Sequence, residues 1–162
     1  MVLSLIAALF RQLRRTCCKR REPPVTADPY ASLSPEDTVH AAACNNDERT
    51  LERLAAEGVS LNEPRQPDGL YAIDACAWSG NLGGTETLLR LGADASLSVQ
   101  AVVGAATWGN AEVLEKLLQG GALVNQEHGN YTALRWAVEM SNEECAEVLM
   151  KHGAWAPEPE KD

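Results

Sequence analysis

Four stretches of this chain close on the same phrase: LAAEGVSLN (54–62), LLRLGADAS (88–96), LLQGGALVN (117–125) and LMKHGAWAP (149–157). Each is a leucine-led helical end followed by a glycine and a small turn. The glycines, Gly58, Gly92, Gly121 and Gly153, stand 34, 29 and 32 residues apart. A near-constant period of this length means one supersecondary unit used four times, each too small to bury its apolar face alone and stable only when stacked. Glycine suits this place because a helix commonly ends in a left-handed residue, a conformation that costs other side chains energy.

Two short apolar helices precede each phrase. They read as 34–46 with 47–58, 71–81 with 82–92, 99–110 with 111–121, and 131–142 with 143–153. Small residues recur in the first helix of each pair: Ala42-Ala43, Cys76-Ala77, Ala105-Ala106 and Ala137-Val138. They let neighbouring helices approach closely, which stacking requires. With 45% hydrophobic residues in 162, the chain can bury a core.

The pattern resembles the ankyrin repeat, most fully in DGLYAIDACAWSGN with LLRLGADAS and in GNYTALRWAVEMSN with LMKHGAW. The resemblance covers residues 34–156 and implies an all-α solenoid of helix-turn-helix units with short or degenerate β-turn fingers. The family's T-P-L-H tetrapeptide survives only as Thr38-Val39-His40 and Thr132-Ala133-Leu134, and it implies a structural hydrogen-bonding role for His40. The unit between Gly92 and Gly121 is short, so its finger should be irregular or nearly absent near Ser96–Ser98.

Local signals agree with this frame. Ser34-Pro35-Glu36-Asp37 predicts a helix start, with serine as cap, proline first and an acid third. Gln66-Pro67-Asp68-Gly69 predicts a turn where the first finger belongs. Gly83-Gly84 falls inside a second helix at a cost of about 1 kcal/mol each relative to alanine, which marks the weakest helix of the stack.

Chemistry-bearing residues form no catalytic set. His40, His128 and His152 are not spaced with acids or cysteines as metal ligands would be, and GNLGGTE (80–86) lacks the Lys-Ser/Thr of a phosphate loop. The five cysteines show no C-x-x-C spacing, which argues against a zinc ribbon and against a disulfide framework. Cys44, Cys76 and Cys145 lie in apolar helical contexts and read as small core residues in a reducing compartment. No catalytic residue, metal or cofactor is expected, and the chain reads as no enzyme.

In ankyrin-like proteins the first helices and fingers line a concave surface, so the resemblance places partner contacts there. Trp78, Trp108 and Trp136 all fall in first helices. By register Trp78 and Trp108 come near an exposed C-terminal end and Trp136 one turn earlier, where its ring could lie across Gly104. Two readings stand: plugs for gaps left by small residues, or an aromatic row that anchors a partner, flanked by Asp74, Arg135 and Glu139.

Charge divides the chain. Residues 1–21 hold six bases and no acid, whereas the remainder holds eight bases against 23 acids. The body should repel nucleic acid and favour a neutral or basic protein partner. The arm, residues 1–21, sorts on a helical wheel into an apolar arc (Val2, Leu3, Leu5, Ile6, Leu9, Phe10, Leu13, Cys17) opposite Arg11, Arg14, Arg15 and Lys19. Its apolar run, 2–10, spans only about 13 Å as a helix and cannot cross a bilayer. It lacks the basic n-region and the cleavage site of a secretory signal. Cys17 and Cys18 beside such a helix are candidates for S-acylation, which would anchor the arm to an anionic membrane surface. A cleaved mitochondrial or other organelle presequence has the same basic, acid-free character, and a plain partner-binding or disordered arm is the third reading. Residues 22–33 form a Pro-containing linker and 157–162 a disordered-like tail. The leading expectation is a cytoplasmic, membrane-tethered adaptor for another protein. The alternative is an imported regulatory or assembly factor.

Overall fold

The computed structural model describes residues 29–129 and 131–155. The expectations for the arm, for Cys17, Cys18, Arg11, Arg14, Arg15 and Lys19, for the first part of the linker and for the tail lie outside these residues.

The eight α-helices among the described residues form four antiparallel pairs. They are α1 (Pro35–Asn45) with α2 (Glu48–Ala56), α3 (Ala72–Ser79) with α4 (Leu82–Arg90), α5 (Val99–Trp108) with α6 (Ala111–Gln119), and α7 (Ala133–Glu139) with α8 (Glu143–Lys151). The first helices pack in one row, α1 on α3 on α5 on α7, and the second helices in a parallel row, so the molecule is two layers of stacked hairpins. The all-α solenoid expected from the repeat is the architecture found.

Local chemistry sets each boundary. Ser34 accepts a hydrogen bond from the Asp37 amide at 3.1 Å with Pro35 in the first turn, as the sequence predicts. The residue joining the two helices of a pair is left-handed in every unit: Asn46, Gly80, Gly109 and Ser141, with φ of 57°, 72°, 74° and 59°. The repeat glycines, at φ of 82° to 95°, reverse the chain after each second helix.

The core lies between the two rows. Ala42, Ala43, Cys76, Ala77, Ala105, Ala106 and Ala137 are all fully buried at the contacts between first helices. From the second helices, Leu54, Leu88, Leu117 and Leu149, each four residues before a repeat glycine, are buried as a column. Each buried leucine contributes roughly 1.5–3 kcal/mol relative to exposure.

Two polar series lock one unit to the next. Asn81, Asn110 and Asn142, which precede α4, α6 and α8, donate back to the carbonyls of Ala43, Ala77 and Ala106 at 2.7, 2.7 and 2.8 Å. Along the second helices Glu52 pairs with Arg90 at 2.8 Å, Glu86 with Lys116 at 2.8 Å and Glu115 with Lys151 at 3.0 Å. These are exposed pairs, screened by solvent and weak as sources of stability. The part-buried asparagine bonds matter more, because they bring a side-chain donor to buried backbone carbonyls at the contact between units.

The fingers are degenerate, in keeping with the resemblance. The first is a tight turn closed by the Arg65–Leu70 bridge, with the Gly69 amide donating to the Arg65 carbonyl at 2.8 Å. The last is a two-stranded ladder, β1 (Glu127–His128) against β2 (Tyr131–Thr132). Between Gly92 and Gly121 there is no finger, only a 3-10 turn at Ala95–Leu97.

This shortening has a local cost. In the loops after α2 and α6, Asn62 and Asn125 clasp the next unit, bonding Gly92 and Asp94, and Gly153 and Trp155. The corresponding residue after α4 is Ser96, which bonds Asp94 of its own turn instead.

Gly83 and Gly84 also look different in three dimensions. A Cβ on Gly84 would come within 2.9 Å of Cys76 Sγ and 3.0 Å of the Ala43 carbonyl, and one on Gly83 within 2.7 Å of Asn46 Oδ1. Their absent side chains let α4 seat against α1 and α3, which offsets the helix-propensity cost that marks them as weak in the sequence.

Candidate partner-binding surface

The tryptophans do not form an exposed row. Trp78 is buried with 9% exposure, and its indole Nε1 donates to the Gln100 carbonyl in the next unit at 3.1 Å. Trp78, not Trp136, lies across Gly104, where any Cβ would collide with the indole. The register explains the correction: a first-helix residue leans toward the following unit, so the gap at 104 is filled from the unit before it. Trp136 is likewise buried, its ring centroid 5.2 Å from that of Tyr131. Trp108 alone of the three is only half-buried. Trp78 and Trp136 therefore cannot offer the open aromatic faces that an anchoring row needs.

Asp74 also changes place. It is fully buried, accepting from the Tyr71 amide at 2.8 Å and from the Ser98 hydroxyl. It thus caps α3 and ties that helix to the start of α5, where Ser98 accepts from the Ala101 amide at 3.2 Å. Burial pushes the Asp74 carboxyl up to about 6, more than its two hydrogen bonds lower it.

His40 occupies the equivalent position one unit earlier. It is buried, with Nδ1 3.3 Å from the Arg65 guanidinium, whose other nitrogens hold Asp68 in the first finger. Burial, reinforced by Arg65, brings its pKa down to about 4, so the ring is neutral at physiological pH. The geometry fits the structural role that the resemblance implies. Cys76 and Cys145 are buried, and burial raises the Cys145 thiol to about 11, an unreactive state. Cys44 is half-buried, 3.8 Å from His40 Nδ1.

Arg135 and Glu139 are exposed on α7, one helical turn apart. The Arg135 guanidinium carbon lies 4.4 Å above the centre of the Tyr131 ring, which itself leans on Trp136. Thr132 caps α7 through the Arg135 amide and fixes this base to the finger. The result is a cation held on an aromatic stack with an acid one turn away, a surface suited to a partner's carboxylate or peptide edge. Tyr131 is the member that sequence reasoning missed. Its finger position, next to the tetrapeptide remnant at Thr132, is the signal that could have found it. Leu97 and Leu123, 46% and 47% exposed, lie on the neighbouring loops.

Among the described residues no cluster of three or more His, Cys, Asp or Glu could hold a metal, and no helix is long and apolar enough to cross a membrane.

Comparison with known proteins places the repeat in a family. A family profile described as Ankyrin repeat matches residues 129–158. Over 130 residues, 77% of this chain, the sequence is 30% identical to Inversin of Gallus gallus. Over 47 residues, 28% of the chain, it is 45% identical to the 2-5A-dependent ribonuclease of Homo sapiens. The chain spans only 12% and 6% of the length of these two relatives, so the match is to their repeats and carries neither protein's activity. The four stacked hairpins, the repeat glycines and these matches agree that the chain is an ankyrin-repeat protein.

Proposed function

We propose that this protein is a non-catalytic adaptor. Its repeats hold a protein partner of neutral or basic character, and its N-terminal arm tethers it to the cytoplasmic face of an anionic membrane. The ankyrin repeat is itself a protein-interaction module, which supports the first part.

The observation that carries the reading is the charge of the folded body. Its described residues hold 18 acids against seven bases, and five of those bases are already engaged with carboxylates of the fold. Such a body is repelled by phosphate-rich surfaces, so a basic arm able to hold one at a distance divides the labour. The groups that could do chemistry, His40, Asp74, Cys76 and Cys145, are committed to packing. Arg135, Tyr131, Glu139 and Trp108 are the groups left to contact a partner.

The test uses fluorescent fusions of the full chain and of a Cys17→Ser/Cys18→Ser variant. Membrane labelling that becomes diffuse in the variant supports the tether. Organelle labelling with a shortened mature chain, unchanged in the variant, would favour an imported factor and sink it. For the partner surface, proteins crosslinked to the full chain in cells are compared with those of an Arg135→Glu/Trp108→Ala variant of unchanged melting temperature. Loss of the same bands in the variant supports the assignment, and an unaltered pattern removes it.

A further inference from the structure

The last unit ends in an unfinished version of the bonding that joins the others. Glu52, Glu86 and Glu115, each six residues before a repeat glycine, pair with a base of the next unit. Glu147, six before Gly153, is exposed on α8 and has no ion-pair partner among the described residues. Ala43, Ala77 and Ala106 are fully buried under the next unit, whereas Val138 at the same place is 64% exposed. Leu118 of α6 is 9% exposed and its counterpart Met150 of α8 is 56%. With Glu143 and Glu144 also exposed on α8, the end unit offers apolar side chains within an acidic rim.

We propose that residues 2–21 of this chain dock on that end surface as an amphipathic helix. Charge complementarity favours them, since the segment carries six bases and no acid. At helical spacing Val2, Leu5, Ile6, Leu9, Phe10 and Leu13 share one arc, with Arg14 and Lys19 near its two edges. That order matches Val138 and Met150 with apolar side chains and sets a base where Glu147 would find one in a further unit. Residues 22–28 span up to about 24 Å when extended, the lower limit of the about 24–30 Å that three helix-to-helix steps of the stack cover, so the arm meets its own end unit only with this linker fully drawn out and otherwise that of a second copy.

Two other occupants fit less well. The first unit of a second copy carries Asp47 where Asn81, Asn110 and Asn142 donate to the preceding unit, and a carboxylate has no N–H to give. Residues 156–162 hold three acids and one base, the same sign as the rim. Docking does not depend on the membrane reading, although the same arc cannot face lipid and protein at once.

The test is a full-length protein carrying a photo-crosslinking phenylalanine analogue at position 150, irradiated without lipid and mapped by mass spectrometry. Crosslinks to residues 2–21, within one chain or between two, are expected. Their yield should fall about fivefold (about 1 kcal/mol) when Glu147→Lys is added. Because Glu147 is exposed, that variant should keep its helical content, which circular dichroism checks. Crosslinks confined to residues 34–58 of a second copy or to 156–162, or none in 2–21, overturn the proposal. So does an equal yield of arm crosslinks from a probe at Leu97, which would mean unspecific charge attraction. Flotation with anionic vesicles reports the tether separately, so either idea can fail without the other.

Discussion

Asp74 and His40 hold equivalent places in successive units and respond to pH in opposite senses. The Asp74 carboxyl is raised from 3.8 to about 6. The folded state therefore keeps a proton that the unfolded chain has lost, and the stability this gives below 3.8 is lost as pH rises through about 6. His40 is lowered from 6.5 to about 4, so its contribution is present above 6.5 and lost as pH falls through about 4. The two slopes oppose each other across nearly one window and flatten the profile. Asp74→Asn removes one of them. Thermal melts from pH 4 to 7 should show the variant gaining stability with pH more steeply than the parent, the difference approaching about 3 kcal/mol across the window. Parallel curves would show that Asp74 does not titrate there. Trp78 supplies a second residue-scale outcome. Buried over Gly104, Trp78→Ala should cost about 3–5 kcal/mol, and a melting temperature within a degree or two of the parent would contradict the packing seen. The sequence placed these side chains in the right helices but not on the right side. The register among Trp78, Trp136 and Gly104 depends on which neighbouring unit a first helix leans toward, and a one-dimensional repeat does not encode that direction.

At the scale of elements, most of the fold was legible because punctuation and periodicity agree. Ser34-Pro35, Gln66-Pro67-Asp68-Gly69 and the four repeat glycines act as their local chemistry requires, whatever surrounds them. Gly83-Gly84 was legible only as a propensity cost, since the contacts of Gly84, with Cys76 of the paired helix and with the Ala43 carbonyl of the preceding unit, are tertiary. The turn between paired helices is left-handed at Asn46, Gly80, Gly109 and Ser141. Serine is the least suited of these to positive φ, at a cost of roughly 1 kcal/mol. Ser141→Gly should therefore raise the melting temperature, whereas Gly109→Ser should lower it. If Ser141→Gly were destabilising in chemical denaturation, its hydroxyl would be contributing more than its backbone strain removes. Asn110→Ala tests the inter-unit series: it leaves the Ala77 carbonyl buried and unpaired, at about 1–3 kcal/mol.

Across the whole molecule, stability is close to a chain of unit energies and nearest-neighbour contacts, so it is governed by the weakest junction. The candidate surface at Arg135, Tyr131 and Glu139 was legible in part. Its charged members are visible as polar residues on an apolar helix, but Tyr131 joins them only through the finger, and Asp74 leaves them because Ser98 draws it inward. The short third unit has a further consequence. Without a finger or an asparagine clasp, the junction between α3–α4 and α5–α6 relies on apolar packing, Trp78 with Gln100, the Asn110 bond, the Glu86–Lys116 pair and the Asp74–Ser98 bond. Native-state hydrogen exchange should resolve two cooperative blocks, residues 34–92 and 99–153, rather than one, with Asp74→Asn shifting how readily they uncouple. Uniform protection across the junction would refute this. The short loop and Ser96 thus leave this, among the described residues, the one junction without finger or clasp, and a load applied to the two ends of the stack is expected to open it there first.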